Sequence, residues 1–201
     1  MGGWLTHRRL RQQVCDLRPQ LYRTAFAWTH DSALADDLAQ EAMMKAIQQI
    51  RNLKDEGALK AWVFRIMTNC WRDWGRRQRD VVDVDDVDLW CDDCPEREHE
   101  RDRVVSQVRG AMAQLSDDHR QVIALVDLEG FAYAEVAEVL EVPIGTVMSR
   151  LSRARSQLKR RLLETAPHLA QHEDAAQDPS QAEAAPDSAR ASLRLVRGAR
   201  V

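Results

Sequence analysis

Glycine and proline are scarce, eight and six in 201 residues, and stretches that alternate apolar with polar residues are scarce too. A sheet protein needs turns and alternating strands, so both absences point to an all-α chain. No apolar run approaches the roughly 20 residues of a membrane span. The N-terminal MGGWLTHRRLRQQ lacks the apolar core of a secretory signal. These absences imply a cytoplasmic protein without direct membrane insertion. Its four cysteines, Cys15, Cys70, Cys91 and Cys94, are then expected as reduced thiols rather than a disulfide frame. No Ser/His/Asp set, phosphate-binding loop or paired-carboxylate site is evident. No catalysis and no cofactor are therefore expected.

What is present is charge, and it is segregated. The net charge is only −3, but basic residues cluster at Arg72–Arg79 and Arg150–Arg161, and acidic ones at Asp80–Asp102. Taken singly, such runs are most often solvated helix faces; their segregation along one chain is what informs.

Helical periodicity divides the chain. Leu10, Val14, Leu17, Leu21, Ala25 and Trp28 recur at steps of three and four on one face. His30-Asp31-Ser32 ends that run, and Asp31 or Ser32 can cap the next helix, whose stripe is Leu34, Leu38, Ala42, Ala46 and Ile50. Arg51–Gly57 reads as a loop. A third helix carries Leu59, Trp62, Val63, Ile66, Cys70 and Trp74. Trp62 and Trp74 fall on its core stripe and Trp71 off it. An acidic, Pro95-containing stretch follows and reads as a flexible linker. Beyond it, Val104, Val105, Val108, Met112 and Leu115 form a stripe, with Ser116 as N-cap and Asp117 and Asp118 at the positive end of the next helix. Val122, Ile123 and Val126 belong to that helix, and Gly130 is a plausible terminator. A short helix over Ala132–Leu140, a turn Glu141-Val142-Pro143-Ile144 and a longer basic helix over about Gly145–Leu163 make a helix-turn-helix pattern. The expected organisation is residues 1–79, an acidic linker 80–102, a second domain 103–165 and a disordered tail 166–201.

In the basic helix, Val147, Leu151, Ala154 and Leu158 form an apolar stripe. Opposite lie Ser149, Arg150, Ser152, Arg153, Ser156, Lys159 and Arg160. A helix fits the DNA major groove, where an arginine can make a bidentate contact to guanine. Thr146 and the amides of the helix N-terminus suit phosphate, and Lys159 and its neighbours supply charge without sequence preference. A surface helix whose cations offset its own dipole would look similar; the short preceding helix and the proline turn argue for the DNA reading.

The segment YAEVAEVLEVPIGTVMSRLSRAR resembles region 4 of bacterial sigma factors, especially the extracytoplasmic-function (ECF) group of the sigma-70 family. Tyr133, Glu135, Val136, Ala137, Pro143, Gly145, Thr146, Val147, Ser149, Arg150, Leu151, Arg153 and Ala154 carry the match. Ala132, Glu141 and Met148 depart from it, standing where Ser or Thr, Gly, and a basic residue are common. SALADDLAQEAMMKAI resembles the region 2 signature through Ala35, Asp36, Asp37, Leu38, Gln40 and Glu41. AWVFRIMTNCWRDWGRRQR resembles the strand-separating part of region 2 through Trp62, Arg65, Ile66, Asn69, Arg76 and Arg77. The resemblance implies two small helical domains: a region 2 bundle and a region 4 helix-turn-helix. It implies an alternative sigma factor that recruits core RNA polymerase, reads the −35 element with the second domain and opens the −10 element with the first.

Asp36, Asp37, Leu38, Gln40, Glu41 and Met44 would then dock on the polymerase β′ clamp, with the β subunit as further contact surface. Thr146, Ser149, Arg150, Arg153 and Lys159 would meet the −35 DNA. Asn52, Lys54, Arg65, Asn69, Trp71, Arg72, Arg76 and Arg77 would serve the −10 DNA, aromatic rings stacking on unpaired bases and cations following phosphates. An anti-sigma factor is the implied regulatory partner. Two rival readings stay open. One is a helix-turn-helix regulator that is not a sigma subunit; a response regulator would need a phospho-acceptor α/β domain, and the helical periodicity leaves no room for its strands. The other is a metal- or redox-sensing adaptor built on Cys91, Cys94 and His99, although these are three ligands where zinc wants four.

Overall fold

The computed structural model describes residues 2–81 and 100–165. Residues 82–99, with Cys91, Cys94 and His99, and the tail 166–201 lie outside the described residues; the ends of the expected linker, 80–81 and 100–102, belong to helices. Eight α-helices are present among those described: α1 Gly2–Asp16, α2 Arg18–Thr29, α3 Ser32–Gln48, α4 Leu59–Val81, α5 Glu100–Ala113, α6 Asp117–Ile123, α7 Tyr133–Leu140 and α8 Ile144–Thr165.

The first apolar run is two helices rather than one. The chain breaks at Leu17 because Pro19 has no N–H to give Cys15 and its ring crowds that carbonyl. The same proline is well placed in the first turn of α2. His30 then closes α2 in the left-handed region, φ 55°, its N–H bonding Phe26 O. Asp31 caps α3: its carboxylate accepts from Ala33 N at 2.8 Å and Leu34 N at 3.1 Å. Ser116 has the extended backbone of an N-cap but makes no side-chain cap bond. Past α6 the helix widens into a π-type turn over Ala124–Leu128 and stops at Gly130, φ 74°. The loop before α4 contains two 3-10 turns, Ile50–Asn52 and Glu56–Ala58.

Alanine-rich α3 is the centre of the N-terminal half. Ala35, Ala39, Ala42 and Ala46 are buried, and their small side chains let α2 and α4 pack closely on either side. The C-terminal half is organised around α8, which packs on α5, α6 and α7. Val122, Leu125, Val136, Leu140, Val147, Leu151 and Ala154 fill that core.

The halves share an apolar cluster, because α4 is covered on two sides, by α3 and by α7. Its buried arc therefore includes Phe64 and Thr68 as well as Val63, Met67 and Cys70. Phe64 meets Phe131 edge-on, ring centroids 5.0 Å apart. Lys60 lies over Phe131, 4.6 Å from its centroid. Beside them sits the Glu129 carboxylate, 2% exposed, 3.1 Å from Arg23 and 3.5 Å from Lys60. Lys60 also donates to Glu129 O at 2.9 Å. Arg72 reaches across to bond Leu140 O and lies 3.4 Å from Glu141. These contacts join residues about a third to half the chain apart.

Candidate nucleic-acid interface

The helix-turn-helix is built from local chemistry. Ala132 has the extended backbone of an N-cap (φ −68°, ψ 152°) but no side-chain acceptor for α7. Glu135 supplies the other half of a capping box, its carboxylate accepting from Ala132 N at 2.8 Å. Glu141 turns the chain in the left-handed region, φ 54°, a conformation that costs a non-glycine residue about 1 kcal/mol. Val142 N bonds Ala137 O, and Pro143 O accepts from Thr146 N and Val147 N to start α8.

On α8, Val147, Leu151 and Ala154 are buried against the preceding helices, and Ser149, Ser152, Arg153, Ser156, Lys159 and Arg160 are exposed. The cations on this helix are not equivalent. Arg150 lies 2.6 Å from Asp118 on α6, with its side chain only 26% exposed. Arg155 is held in a two-point bond by Asp127, at 3.1 and 2.5 Å. Arg153 and Arg160 are exposed and have no partner among the described residues. They lie two turns apart on one face. The Ser149 hydroxyl donates to Thr146 O and that of Ser156 to Ser152 O, leaving both oxygens free as acceptors. Thr146 is half-buried at the start of the helix.

On α3, Asp37 is exposed, Met44 is 61% exposed, and Gln40 and Glu41 accompany them. Asp36 accepts from Arg18 at 2.8 Å and from the Gln40 amide at 2.7 Å. Glu41 pairs with Lys45 at 2.8 Å. The face is thus acidic with one adaptable apolar side chain. Leu38 is not on it: at 2% exposed it sits in the core beneath. Burial pushes the Cys70 thiol up in pKa, as expected of an unreactive core cysteine.

Along α4, Arg65, Asn69, Arg76 and Arg77 are exposed. Asn69 accepts from Arg72 at 3.3 Å, and Arg76 pairs with Asp73, whose carboxyl it holds below the usual range. Trp71 is half-buried and packs against the core, where an off-stripe position was expected to expose it. The cause is the second cover on α4, which widens the buried arc. Trp74 is half-buried and stacks on Trp71, centroids 5.0 Å apart and planes 10° apart. Asn52 and Lys54 are exposed in the loop before α4, and Asp55 braces that loop by accepting from Gly57 N at 2.9 Å.

Residues 14–81 match the family model for Sigma-70 region 2, and residues 106–158 that for Sigma-70 region 4. The RNA polymerase sigma-H factor of Pseudomonas aeruginosa is 33% identical over 67% of this chain and 76% of its own length. The chain belongs to the ECF group of sigma-70 family sigma factors. It is an alternative sigma factor, a class that directs transcription initiation and is not an enzyme. The ECF RNA polymerase sigma factor EcfG of Rhodopseudomonas palustris is 30% identical over 74% of this sigma factor and 82% of its own length. Among solved structures, sigma factor RpoE in complex with the anti-sigma factor NepR, from Bartonella quintana, superimposes with TM-score 0.63. It is 27% identical, over 79% of this chain and 99% of that one.

Region 2 thus contains α2 to α4, and region 4 runs from within α5 into α8. Among the described residues of the sigma factor, no group of His, Cys, Asp and Glu is placed to hold a metal ion, and no helix is long and apolar enough to cross a membrane. Sequence reasoning missed the Arg23–Glu129–Lys60 cluster. No local signal marks it, since its members lie 106 and 69 residues apart.

Proposed function

We propose that α8 reads the −35 promoter element, α4 with the loop before it opens the −10 element, and the exposed face of α3 docks on the β′ clamp of core RNA polymerase. The observation that carries the −35 assignment is the division of labour on α8. Arg153 projects without a partner beside Ser149, opposite the buried Val147, Leu151 and Ala154. A helix placed this way offers a forked donor and a hydroxyl acceptor to base edges. Thr146 and the first amides suit phosphate, and Lys159 and Arg160 add salt-dependent attraction. Arg150, anchored by Asp118, orients the helix and meets DNA from its flank.

On α4, the stacked Trp71 and Trp74 present an aromatic surface for unpaired bases between the cations Arg72, Arg76 and Arg77, with Arg65 and Asn69 along the same helix. Asn52 and Lys54 are positioned to meet an extruded base. On α3, Asp36, Asp37, Gln40, Glu41 and Met44 form the docking face, supported by Leu38 beneath. The functional division follows the sequence boundaries, 1–79 and 103–165, and the protein works in the cytoplasm with its polymerase. An anti-sigma factor is the expected regulator, as NepR is for the Bartonella quintana relative.

The test is run-off transcription with purified core polymerase and a promoter library. Promoter-specific transcripts and a stable complex with core are expected; their absence throughout would overturn the reading. Arg153→Ala is expected to lower promoter occupancy by about tenfold or more, the weight of a lost arginine–guanine contact, while core binding is retained.

A further inference from the structure

Among the described residues, two of the few large apolar side chains left in solvent stand one turn apart at the start of α8: Ile144 is 50% exposed and Met148 54%. A single exposed apolar residue is ordinary. This pair is placed otherwise. The N-terminal residues of a recognition helix come nearest to the base edges. The helix already has its own core stripe in Val147, Leu151 and Ala154, so the pair is not required for packing.

The surrounding groups narrow what the pair can meet. In the first three turns of α8 the cations are Arg150 and Arg153, and Asp118 holds the first. The Ser149 hydroxyl gives its proton to Thr146 O. The surface therefore offers one free forked donor, the hydroxyls of Thr146, Ser149 and Ser152, and an apolar ridge that has no polar group of its own. The major-groove edges present one apolar group, the C5-methyl of thymine. A guanine or adenine edge set against the ridge would lose water from its acceptors and gain no partner.

We propose that Met148, flanked by Ile144, is a specificity-determining residue that selects thymine in the −35 element by packing on its C5-methyl group. The flexible, polarizable thioether can follow the methyl without fixed geometry. This rests on the reading of α8 as the −35 helix.

The test uses the full chain with core polymerase on a promoter selected from a randomised library, with each −35 thymine replaced in turn by deoxyuridine. That replacement removes only the methyl group. For the unaltered protein, one or two positions are expected to lose about fourfold in promoter occupancy, the weight of one buried methyl-sized group. In Met148→Ala the same replacements are expected to have no effect, and in Met148→Leu the sensitivity is expected to return. A flat scan with the unaltered protein, or an undiminished methyl effect in Met148→Ala, would overturn the assignment. If randomising the whole −35 element leaves run-off unchanged, the reading of α8 itself fails, and that outcome is visible in the same assay before any deoxyuridine is introduced.

Discussion

Glu129 offers the sharpest test of how the two halves are held. Its side chain is 2% exposed, while its partners Arg23 and Lys60 are 28% and 36% exposed. At separations of 3.1 and 3.5 Å, each pair attracts by about 5 kcal/mol at an effective dielectric constant near 20. Much of that is offset by the desolvation of the carboxylate. The asymmetry of exposure dictates which substitution costs more. In Glu129→Gln the shape is kept and the two cations can turn toward water, so a loss of about 2 kcal/mol is expected. In the double variant Arg23→Met/Lys60→Met, the carboxylate is stranded without countercharge or water, and the loss is expected to reach about 3–5 kcal/mol. Adding Glu129→Met to that pair removes the stranded charge and is expected to recover most of the loss, since apolar replacement of a whole buried ion cluster is often neutral or better. Urea unfolding, followed by tryptophan fluorescence and circular dichroism, measures all of these. If Glu129→Gln costs more than the double variant, or if every variant lies within about 0.5 kcal/mol of the parent, the cluster does not hold the halves as argued.

Three further outcomes are expected. Asp31→Ala removes the acceptor for Ala33 N and Leu34 N and should cost about 1 kcal/mol in denaturant unfolding. Ala132→Ser adds the acceptor missing from the α7 cap beside Glu135, and a gain of about 0.5–1 kcal/mol is expected by the same measurement; a loss would show that the cap geometry is wrong. His30 has its pKa lowered from 6.5 to about 4, first by burial and then by Arg120 and Arg109. The unfolded chain therefore binds a proton that the folded chain refuses. Stability from this group is complete above about pH 6.5 and lost as pH falls toward 4. His30→Asn, which tolerates the left-handed backbone, should flatten that part of the pH profile in thermal melts.

Much of the candidate interface was legible in residue order. The motif around Pro143–Ala154 placed the recognition helix, and the apolar stripe of Val147, Leu151 and Ala154 is the buried face observed. Asp31 caps α3 as its position suggested. The helix break at Leu17 was less visible, because the apolar spacing continues through it while the backbone does not. Exposure of Trp71 was misjudged for a different reason: one helix was assumed to have one buried stripe, and α4 is covered twice.

By itself the sequence determined the helical periodicity, the inward face of the helices covered on one side, and that a helix-turn-helix follows an acidic stretch. These are consequences of residues three and four apart, and that spacing is written in the chain. Only the tertiary structure decided which charges remain available. Arg150 and Arg153 share one motif, yet Asp118 holds the first and nothing among the described residues holds the second. The meeting of Arg23 and Lys60 on Glu129 joins α2, α4 and the turn before α7. Ion pairs form between whatever the fold brings within a few ångströms, and that depends on how the helices pack rather than on any local period.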